Sequence, residues 1–513
     1  MPLRPPGEEE MREFGRDLHF TLTEDEVETF REVATDRIDQ YRTIRSYDQQ
    51  PGEGQLTVRE RNSGRRAASK DDPYNAWVTR CDVRGSDDGL LAGWDIAIKD
   101  NICVAGVEMT CGSQVVEGYV PYVDATIVDR VLDEGANVVG KTSMDDMAMS
   151  ITGYSAFGPI WNPYDDDRLA GGSSGGSAVA VAIGEADAAI GTDQGGSIRI
   201  PAAHCGVVGL KPTYGLVPYT GCMGLANTVD HPGPMATDVE TTARLLTVIA
   251  GSDARDHRQP AEVMGDIYEK KLDGDVSDLS IGVLSEGFDT EHSDPAVDEQ
   301  VRSALDALSD RGANVAEVSI PMHTDARAFH AVCSAEGLLA AFSGEGLGHG
   351  QKGWYNVSWI DAFGSFRRAQ ADEFPAALKM ALIMGAYTSE EYHSKYYARA
   401  LNLCLELSER YDEALSDHDL LAMPTTPRTA PEHEETNELE RLAGTNPNST
   451  NTAAFNRTGH PALSVPVEPV DGLPVGVMFV GSEFDDATVL NAGYALEEAF
   501  DRHRPEEDPW TEE

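Results

Sequence analysis

The chain has 513 residues, of which 41% are hydrophobic, and 88 acidic against 40 basic side chains give a formal net charge of -48. This apolar content can fill a sizeable core, which excludes global disorder. The negative charge repels nucleic acid, so we expect no nucleic-acid partner. An acidic surface poor in lysine is typical of proteins that work in molar salt, where charge repulsion is screened, and we expect a halophilic source.

The N-terminal region predicts a small α-helical lobe over residues 1–72. Its apolar residues Val27, Phe30 and Val33 recur near helical spacing, and Thr23 is a candidate N-cap. The first residues, MPLRPPGEEEMREFG, are charged and rich in proline, unlike a signal peptide. No apolar run is long enough to span a membrane, and an odd number of scattered cysteines indicates a reduced, cytoplasmic protein without a membrane partner.

The rest of the chain predicts an α/β fold over 73–505. Short apolar runs alternate with helical patterns, as in GWDIAI, VDATIVDRVLDEGA and NVVGKT. This alternation favours a largely parallel sheet with helices. Residues 325–415 are mainly helical and predict a cap or insertion, and 506–513 form an acidic tail.

Two short motifs match known signatures in the wrong context. GANVVGKT, residues 135–142, has the letters of a phosphate-binding loop, but a helical pattern precedes it and a strand pattern follows, the reverse of the order required. GGSSG has the letters of a nucleophile elbow, but the loop-like NPYDDDRLA stands where a strand is needed. We therefore expect neither site.

Two glycine- and serine-rich loops follow each other closely: GGSSGGS at 171–177 and GTDQGGS at 191–197. Between them, SAVAVAIG predicts a short helix and ADAAIGT a strand. A helix of about nine residues rises roughly 13 Å, and a strand of about five residues spans roughly 15 Å. If the chain reverses near Gly184, the two loops lie side by side.

Lys99 ends the apolar run GWDIAIK, which predicts a buried strand. Ligands of α/β sheets bind at the carboxyl ends of strands. A lysine buried there has a lowered pKa and could act as a neutral base. The alternative for Lys99 is an ordinary salt bridge.

The fragments IKDN, GGSSGGS and TDQGGSIRIPAAHCGVVGLKPTYGLVP resemble the amidase signature family, and similarity extends over about 72–495. The resemblance implies a large, central, twisted mixed β-sheet covered by helices on both faces, and residues 73–505 would be the catalytic domain. It also implies that Ser197 is the nucleophile, that Ser173 follows a cis peptide bond and bridges to the base, and that Lys99 is the base. Such a relay activates a serine hydroxyl without histidine. It requires no metal and no cofactor.

The resemblance also implies an oxyanion hole of backbone N–H groups, from Gln194, Gly195, Gly196 and Ser197. Four further residues would support the site. Gly172 eases the cis bond, Asp193 and Arg199 would pair to fix the nucleophile loop, and Ser174, like Ser177, would cap the following helix. His204, His231 and His460 need no catalytic role in this scheme.

Within the family, the helical lobe and DQGGSIRIPA favour stand-alone amidases, including those that accompany nitrile hydratases. These imply a homodimer that cleaves small carboxylic amides to carboxylate and ammonia. The alternative is the glutaminase A subunit of a tRNA-dependent amidotransferase, which KTSMDDMAMS resembles but which usually has threonine at the position of Gln194. A catalytically silent scaffold is disfavoured because Lys99, Ser173 and Ser197 are all present.

Overall fold

A computed structural model describes residues 3–47, 60–444 and 446–500, so the expected acidic tail at 506–513 lies outside the described residues. The chain divides into two compact units, Met1–Thr57 and Val58–Glu513. Strand β1 (Arg61–Arg66) belongs to the sheet of the second unit, so this boundary precedes the expected position at residue 72.

The first unit contains the helices α1 (Glu8–Asp17) and α2 (Glu24–Arg45). Thr23 is the N-cap of α2, as its sequence position predicts. Its side chain accepts a hydrogen bond from the Glu26 backbone, and the Glu26 carboxylate accepts one from the Thr23 backbone. This reciprocal capping satisfies two backbone donors at the start of α2.

The second unit contains a large sheet with helices, two small hairpins and several short 3₁₀ turns. After β1, its strands are β2 (Trp77–Val83), β3 (Asp95–Lys99), β4 (Asn137–Thr142), β5 (Tyr154–Ser155), β6 (Gly158–Pro159), β7 (Trp161–Asn162), β8 (Asp165–Leu169), β9 (Ala188–Asp193), β10 (Val208–Lys211), β11 (His231–Ala236), β12 (Ser280–Leu284), β13 (Asn314–Val318), β14 (Leu420–Pro424), β15 (Ala462–Val470) and β16 (Leu473–Gly481). Its helices are α3 (Thr126–Asp133), α4 (Gly175–Ala182), α5 (Arg199–His204), α6 (Val239–Ile249), α7 (Pro295–Asp310), α8 (Ala326–Ser343), α9 (Val357–Gln370), α10 (Ala376–Tyr392), α11 (Lys395–Asp417), α12 (Glu438–Ala443), α13 (Ala453–Thr458) and α14 (Asp486–Ala499).

The main sheet of the described chain has 12 strands in the order β1-β2-β4-β3-β9-β11-β10-β15-β16-β14-β12-β13. Parallel pairing joins β3 to β4 and β9, and joins β12 to β13 and β14. The other neighbours are antiparallel. The expectation of a largely parallel sheet is therefore wrong, because strands such as β15 and β16 pair as a hairpin. The mixed sheet flanked by helices is confirmed.

The strands around β3 and β9 form the buried centre of the sheet. Ala188–Asp193 is buried along its whole length, and so is β3 after its first residue. Aliphatic side chains from these strands pack with those of α3 and α6 in the main core. Burial of apolar surface on this scale is the main stabilising contribution to the fold and gives the strand ends a rigid base.

Two other expectations can be compared with the structure. Helix α3 ends before Gly135, and β4 follows, so GANVVGKT has the reversed order that excludes a phosphate-binding loop. Helices α8, α9, α10 and α11 lie where a mainly helical segment was expected. Among the described residues, none of the helices combines the length and apolar character needed to cross a membrane.

Candidate active site

The two glycine- and serine-rich loops lie side by side, as their spacing predicts. Helix α4 follows the first loop, the chain turns through Gly184, and β9 leads into the second loop. The backbone N–H of Ser174 donates to the carbonyl oxygen of Ser197 over 3.1 Å. Helix α4 and strand β9 run in succession between the two loops, and together they bring the loops into contact.

Lys99 is fully buried at the end of β3, next to β9. Its Nζ donates to Ser173 Oγ over 2.8 Å and to the Thr192 carbonyl oxygen over 3.1 Å. Burial lowers the pKa of Lys99 to about 7, although the charges of Asp145 and Asp193 act in the opposite direction. A sizeable fraction of Lys99 is therefore neutral near neutral pH, as a proton acceptor must be.

The first loop passes very close to Asp145, a residue that no sequence motif had marked. The peptide bond between Gly172 and Ser173 is cis. A Cβ atom on Gly172 would lie 2.3 Å from Asp145 Oδ1, so this position requires glycine. The Asp145 carboxylate accepts backbone hydrogen bonds from Thr152 and Gly153, and burial raises its pKa to about 6.

Asp193 and Arg199 form a buried pair that shapes the second loop. The Arg199 Nε and one terminal nitrogen each lie 3.0 Å from an oxygen of Asp193. The same carboxylate accepts a hydrogen bond from Asn456 over 2.8 Å. Burial alone would raise the pKa of Asp193, but the Arg199 guanidinium and these hydrogen bonds hold it well below its usual range.

One of the four backbone N–H groups expected in the oxyanion hole is already bonded to Asp193. The N–H of Gly196 donates to Asp193 Oδ1 over 2.6 Å and is already occupied. We therefore remove Gly196 from the set of free donors, because its N–H is engaged by a carboxylate. The N–H groups of Gln194, Gly195 and Ser197 remain candidates.

The expected helix-capping role of Ser174 and Ser177 is wrong. Ser174 stands at the N-cap position of α4 but makes no side-chain capping hydrogen bond. Its hydroxyl instead donates to the Thr192 carbonyl oxygen and accepts from the Thr192 N–H. Ser177 Oγ lies 2.7 Å from Thr142 Oγ1. Both serines connect α4 to neighbouring strands.

Ser197 lies in the wall of a cavity of about 190 Å³, together with Gln194 and Gly195. Much of the wall is apolar, with contributions from Met149, Ile151, Leu225, Val229 and Leu338. A cavity of about 150 Å³ lined by such side chains holds benzene. The volume therefore suits a small aliphatic or aromatic group.

Helix α8 contributes residues to this cavity that no sequence motif had marked. His330, Ser334 and Leu338 all line the wall and are spaced four residues apart, so they lie on one helical face. Burial holds the pKa of His330 well below its usual range, so the imidazole is neutral. The four-residue spacing could have indicated from the sequence that the three residues share a helical face. No local sequence pattern connects that face to Ser197.

The three histidines expected to have no catalytic role lie elsewhere. His204, His231 and His460 are buried and do not line this cavity. Burial lowers the pKa of His204 to about 4 and also lowers that of the other two. The amine next to the Ser197 loop is instead that of Lys99, which is hydrogen-bonded to the Ser173 hydroxyl.

The amidase family model matches residues 65–490. The chain belongs to the amidase family. The A subunit of glutamyl-tRNA(Gln) amidotransferase from Haloarcula marismortui is 43% identical over 428 residues, 82% of this chain and 99% of that relative. An enantioselective amidase of Rhodococcus rhodochrous is 41% identical over 427 residues, 82% of each protein.

Solved amidase structures have the same fold. The A subunit of the glutamyl-tRNA(Gln) amidotransferase of Thermotoga maritima has a TM-score of 0.66 and 32% identity, covering 80% of this chain and 84% of that one. The native peptide amidase of Stenotrophomonas maltophilia has a TM-score of 0.67 and 30% identity, covering 82% and 85%. The chain is therefore a hydrolase of the amidase family that acts on amide C–N bonds.

These relatives correct the expected partners. The A-subunit relatives are named as parts of an amidotransferase for glutamyl-tRNA(Gln), which contradicts our exclusion of nucleic acid and our expectation of a homodimer. The charge of one chain does not exclude RNA from an assembly, because another subunit can bind it. The relatives also support the alternative, an amidotransferase A subunit, better than the stand-alone amidase that we favoured.

Proposed function

We propose that the chain hydrolyses carboxylic amides through an acyl-enzyme on Ser197, with Ser173 and Lys99 moving the proton. The hydrogen bond of 2.8 Å between Lys99 Nζ and Ser173 Oγ carries this proposal. It connects a buried amine of lowered pKa to the loop that lies against the Ser197 loop. Seven free cysteines support a cytoplasmic location.

The mechanism begins with attack of Ser197 Oγ on the amide carbonyl carbon. The Ser197 proton passes to Ser173 Oγ as the Ser173 proton passes to Lys99 Nζ. The N–H groups of Gln194, Gly195 and Ser197 stabilise the oxyanion, and one such donor contributes about 3–4 kcal/mol to the transition state. Lys99 then returns a proton to Ser173 Oγ as the Ser173 proton passes to the leaving nitrogen, which departs as ammonia or an amine.

Water completes the reaction on the acyl-enzyme. The same relay removes a proton from water, which attacks the ester carbonyl carbon. Collapse of the second tetrahedral intermediate returns the relay proton to Ser197 Oγ and releases the carboxylic acid, which ionises to the carboxylate in water. No group other than water is consumed, so the reaction is a hydrolysis.

The cavity supports an uncharged acyl group. Its described wall contains no acidic or basic side chain besides the neutral His330. An ammonium or carboxylate group placed there would be desolvated without a counter-charge, at a cost of several kcal/mol. We therefore propose small aliphatic or aromatic amides as substrates of the isolated chain.

A second candidate function is that of an amidotransferase A subunit. The 43% identity over 99% of the Haloarcula marismortui relative favours it. In this case the amide would be glutamine, and activity would depend on partner subunits and tRNA. The α-ammonium and α-carboxylate of glutamine would then need counter-charges from outside the cavity wall described above.

An ammonia-release assay tests the proposal. Purified wild type and Ser197→Ala, in high salt, receive acetamide, benzamide and glutamine. We expect release from the apolar amides and a loss on the order of 10⁶-fold in the variant, as for removal of a serine nucleophile. Release from glutamine only, and only after partner subunits and tRNA are added, would favour the amidotransferase function, and full activity in Ser197→Ala would refute the proposed nucleophile.

A further inference from the structure

We propose that His330 is a specificity-determining residue whose Nε2 atom hydrogen-bonds a hydroxyl group beside the scissile carbonyl, so that the site favours 2-hydroxy amides. This inference rests on the proposed function and names a substrate class within it. It gives a role to a side chain that the proton relay through Ser173 and Lys99 does not use.

The imidazole of His330 borders the same cavity as Ser197. Both residues line its wall, and His330 is only partly buried. The Nε2 edge of the ring faces Gly195, where a Cβ atom built on the glycine would lie 3.1 Å from Nε2. Gly195 also lines the cavity and precedes Ser197 by two residues, which span at most about 7 Å. A substrate that acylates Ser197 therefore comes within reach of Nε2.

The two ring nitrogens of His330 have different surroundings. Nδ1 is enclosed and has no hydrogen-bond partner within the described chain. Nε2 also has no partner among the described residues, but this atom is not enclosed. The ring nitrogen that a molecule in the cavity can contact is therefore Nε2.

Other polar side chains of the cavity wall are already hydrogen-bonded within the chain. Ser150 bonds to Thr152, and Ser334 Oγ accepts a hydrogen bond from Arg457 over 2.7 Å. Arg457 also donates to the carbonyl oxygen of His330 over 3.2 Å. This contact holds one turn of α8 in place and leaves the His330 ring free to bind a ligand.

A hydroxyl group is the small substituent that fits Nε2 in either tautomer. Because burial holds the pKa of His330 well below its usual range, the neutral ring has one N–H and one lone pair. A hydroxyl group both donates and accepts, so it can bond to Nε2 whichever nitrogen carries the proton. A methyl group in its place would leave Nε2 unpaired, and sites built to bind a hydroxyl discriminate against such analogues.

The test compares lactamide with isobutyramide in wild type and in His330→Phe. The two amides have the same shape, because a methyl group replaces the hydroxyl group in isobutyramide. Phenylalanine keeps a flat ring but has no nitrogen. Ammonia release gives kcat/KM for isobutyramide and for each enantiomer of lactamide. We expect the ratio of lactamide to isobutyramide, for the preferred enantiomer, to fall about tenfold in the variant.

Two further variants separate a specific contact from a general change of the cavity. His330→Gln keeps a hydrogen-bonding group near the position of Nε2, so it should retain part of the preference that His330→Phe loses. Ser449→Ala removes another hydroxyl group from the same wall and should leave the ratio close to that of wild type. A ratio that falls in Ser449→Ala but not in His330→Phe would assign the contact to Ser449 and overturn this inference.

The isobutyramide reaction also reports whether His330→Phe is folded, because it needs Ser197 but no hydrogen bond to Nε2. Equal losses for both amides would overturn this inference and leave the proposed hydrolysis intact. Cleavage of benzamide but of neither lactamide nor isobutyramide by wild type would do the same. If wild type cleaves none of the three amides, or Ser197→Ala cleaves them all, the proposed function fails and this inference fails with it.

Discussion

Two strands of the central sheet end in a fully buried lysine, and the two lysines have different surroundings. Lys99 ends β3 and Lys211 ends β10. Burial lowers the pKa of each to about 7. Judged by burial and pKa alone, either lysine could be the base.

Their hydrogen bonds separate them. Lys99 Nζ reaches Ser173 Oγ over 2.8 Å, whereas Lys211 Nζ donates to the carbonyl oxygen of Pro212, the next residue, over 3.1 Å. A lowered pKa indicates a candidate functional site only when geometry places a reacting group beside it. We therefore propose proton transfer for Lys99 and a structural role for Lys211.

Among the effects that separate the two lysines, we expect the largest when each is replaced with methionine. Lys99→Met should reduce kcat/KM for benzamide by a factor on the order of 10²–10⁴, the contribution of a positioned base. Lys211→Met should stay within about threefold of wild type, because Lys211 has no bond to either serine loop. Steady-state ammonia release, with circular dichroism to confirm folding, measures both.

The opposite pattern would break the comparison. If Lys211→Met lost activity and Lys99→Met kept it, the hydrogen bond to Ser173 would not mark the base. Comparable losses in both folded variants would mean that burial of a lysine in this sheet, rather than its contact with Ser173, controls activity.

A pH profile sharpens the comparison with a smaller effect. The base must be neutral, and Lys99 becomes neutral as pH rises through about 7. We therefore expect kcat/KM to rise about tenfold per pH unit below this value and to level off above it.

Because Lys211 has a similarly lowered pKa, the profile of wild type alone cannot distinguish the two lysines. Lys211→Met should keep the rise in activity near pH 7. Its disappearance in this variant, or a flat wild-type profile from about pH 5.5 to about pH 9 with chemistry rate-limiting, would argue against Lys99 as the base.

Sequence spacing was sufficient to predict the contact between the two loops. The helix and strand predicted between Ser173 and Ser197 are roughly 13 and 15 Å long, so a reversal at Gly184 returns the chain to the first loop, and α4 and β9 occupy these positions. The sheet was less predictable. Alternating helices and strands predict parallel pairing, but sequence does not reveal that β10 returns beside β11 and β15 in antiparallel order.

The distant parts of the site could not be derived from local patterns. Asp145 follows β4 in KTSMDD, and only the fold brings its carboxylate against Gly172. His330 comes from α8, more than a hundred residues after Ser197 in the chain. Their roles depend on tertiary packing, whereas the motif residues are constrained by nearby sequence.

The smallest effect concerns stability. Lys211 has a folded-state pKa of about 7 against an ordinary value of 10.5, so the native state binds fewer protons than the unfolded state between these pH values. Stability then rises with pH across this window, and the penalty for burying the charge is greatest below pH 7. Lys211→Met removes that penalty, so it should be more stable than wild type at pH 6.

The stability advantage of Lys211→Met should shrink as pH approaches 10, by an amount on the order of 4 kcal/mol. Urea unfolding at both pH values, in constant high salt, measures it. Lys99→Met should gain less at pH 6, because it also loses the hydrogen bonds of Lys99 to Ser173 and to the Thr192 carbonyl oxygen. Equal gains in the two variants would mean that the contact between Lys99 and Ser173 contributes nothing to the folded state, and would remove the distinction between the two lysines.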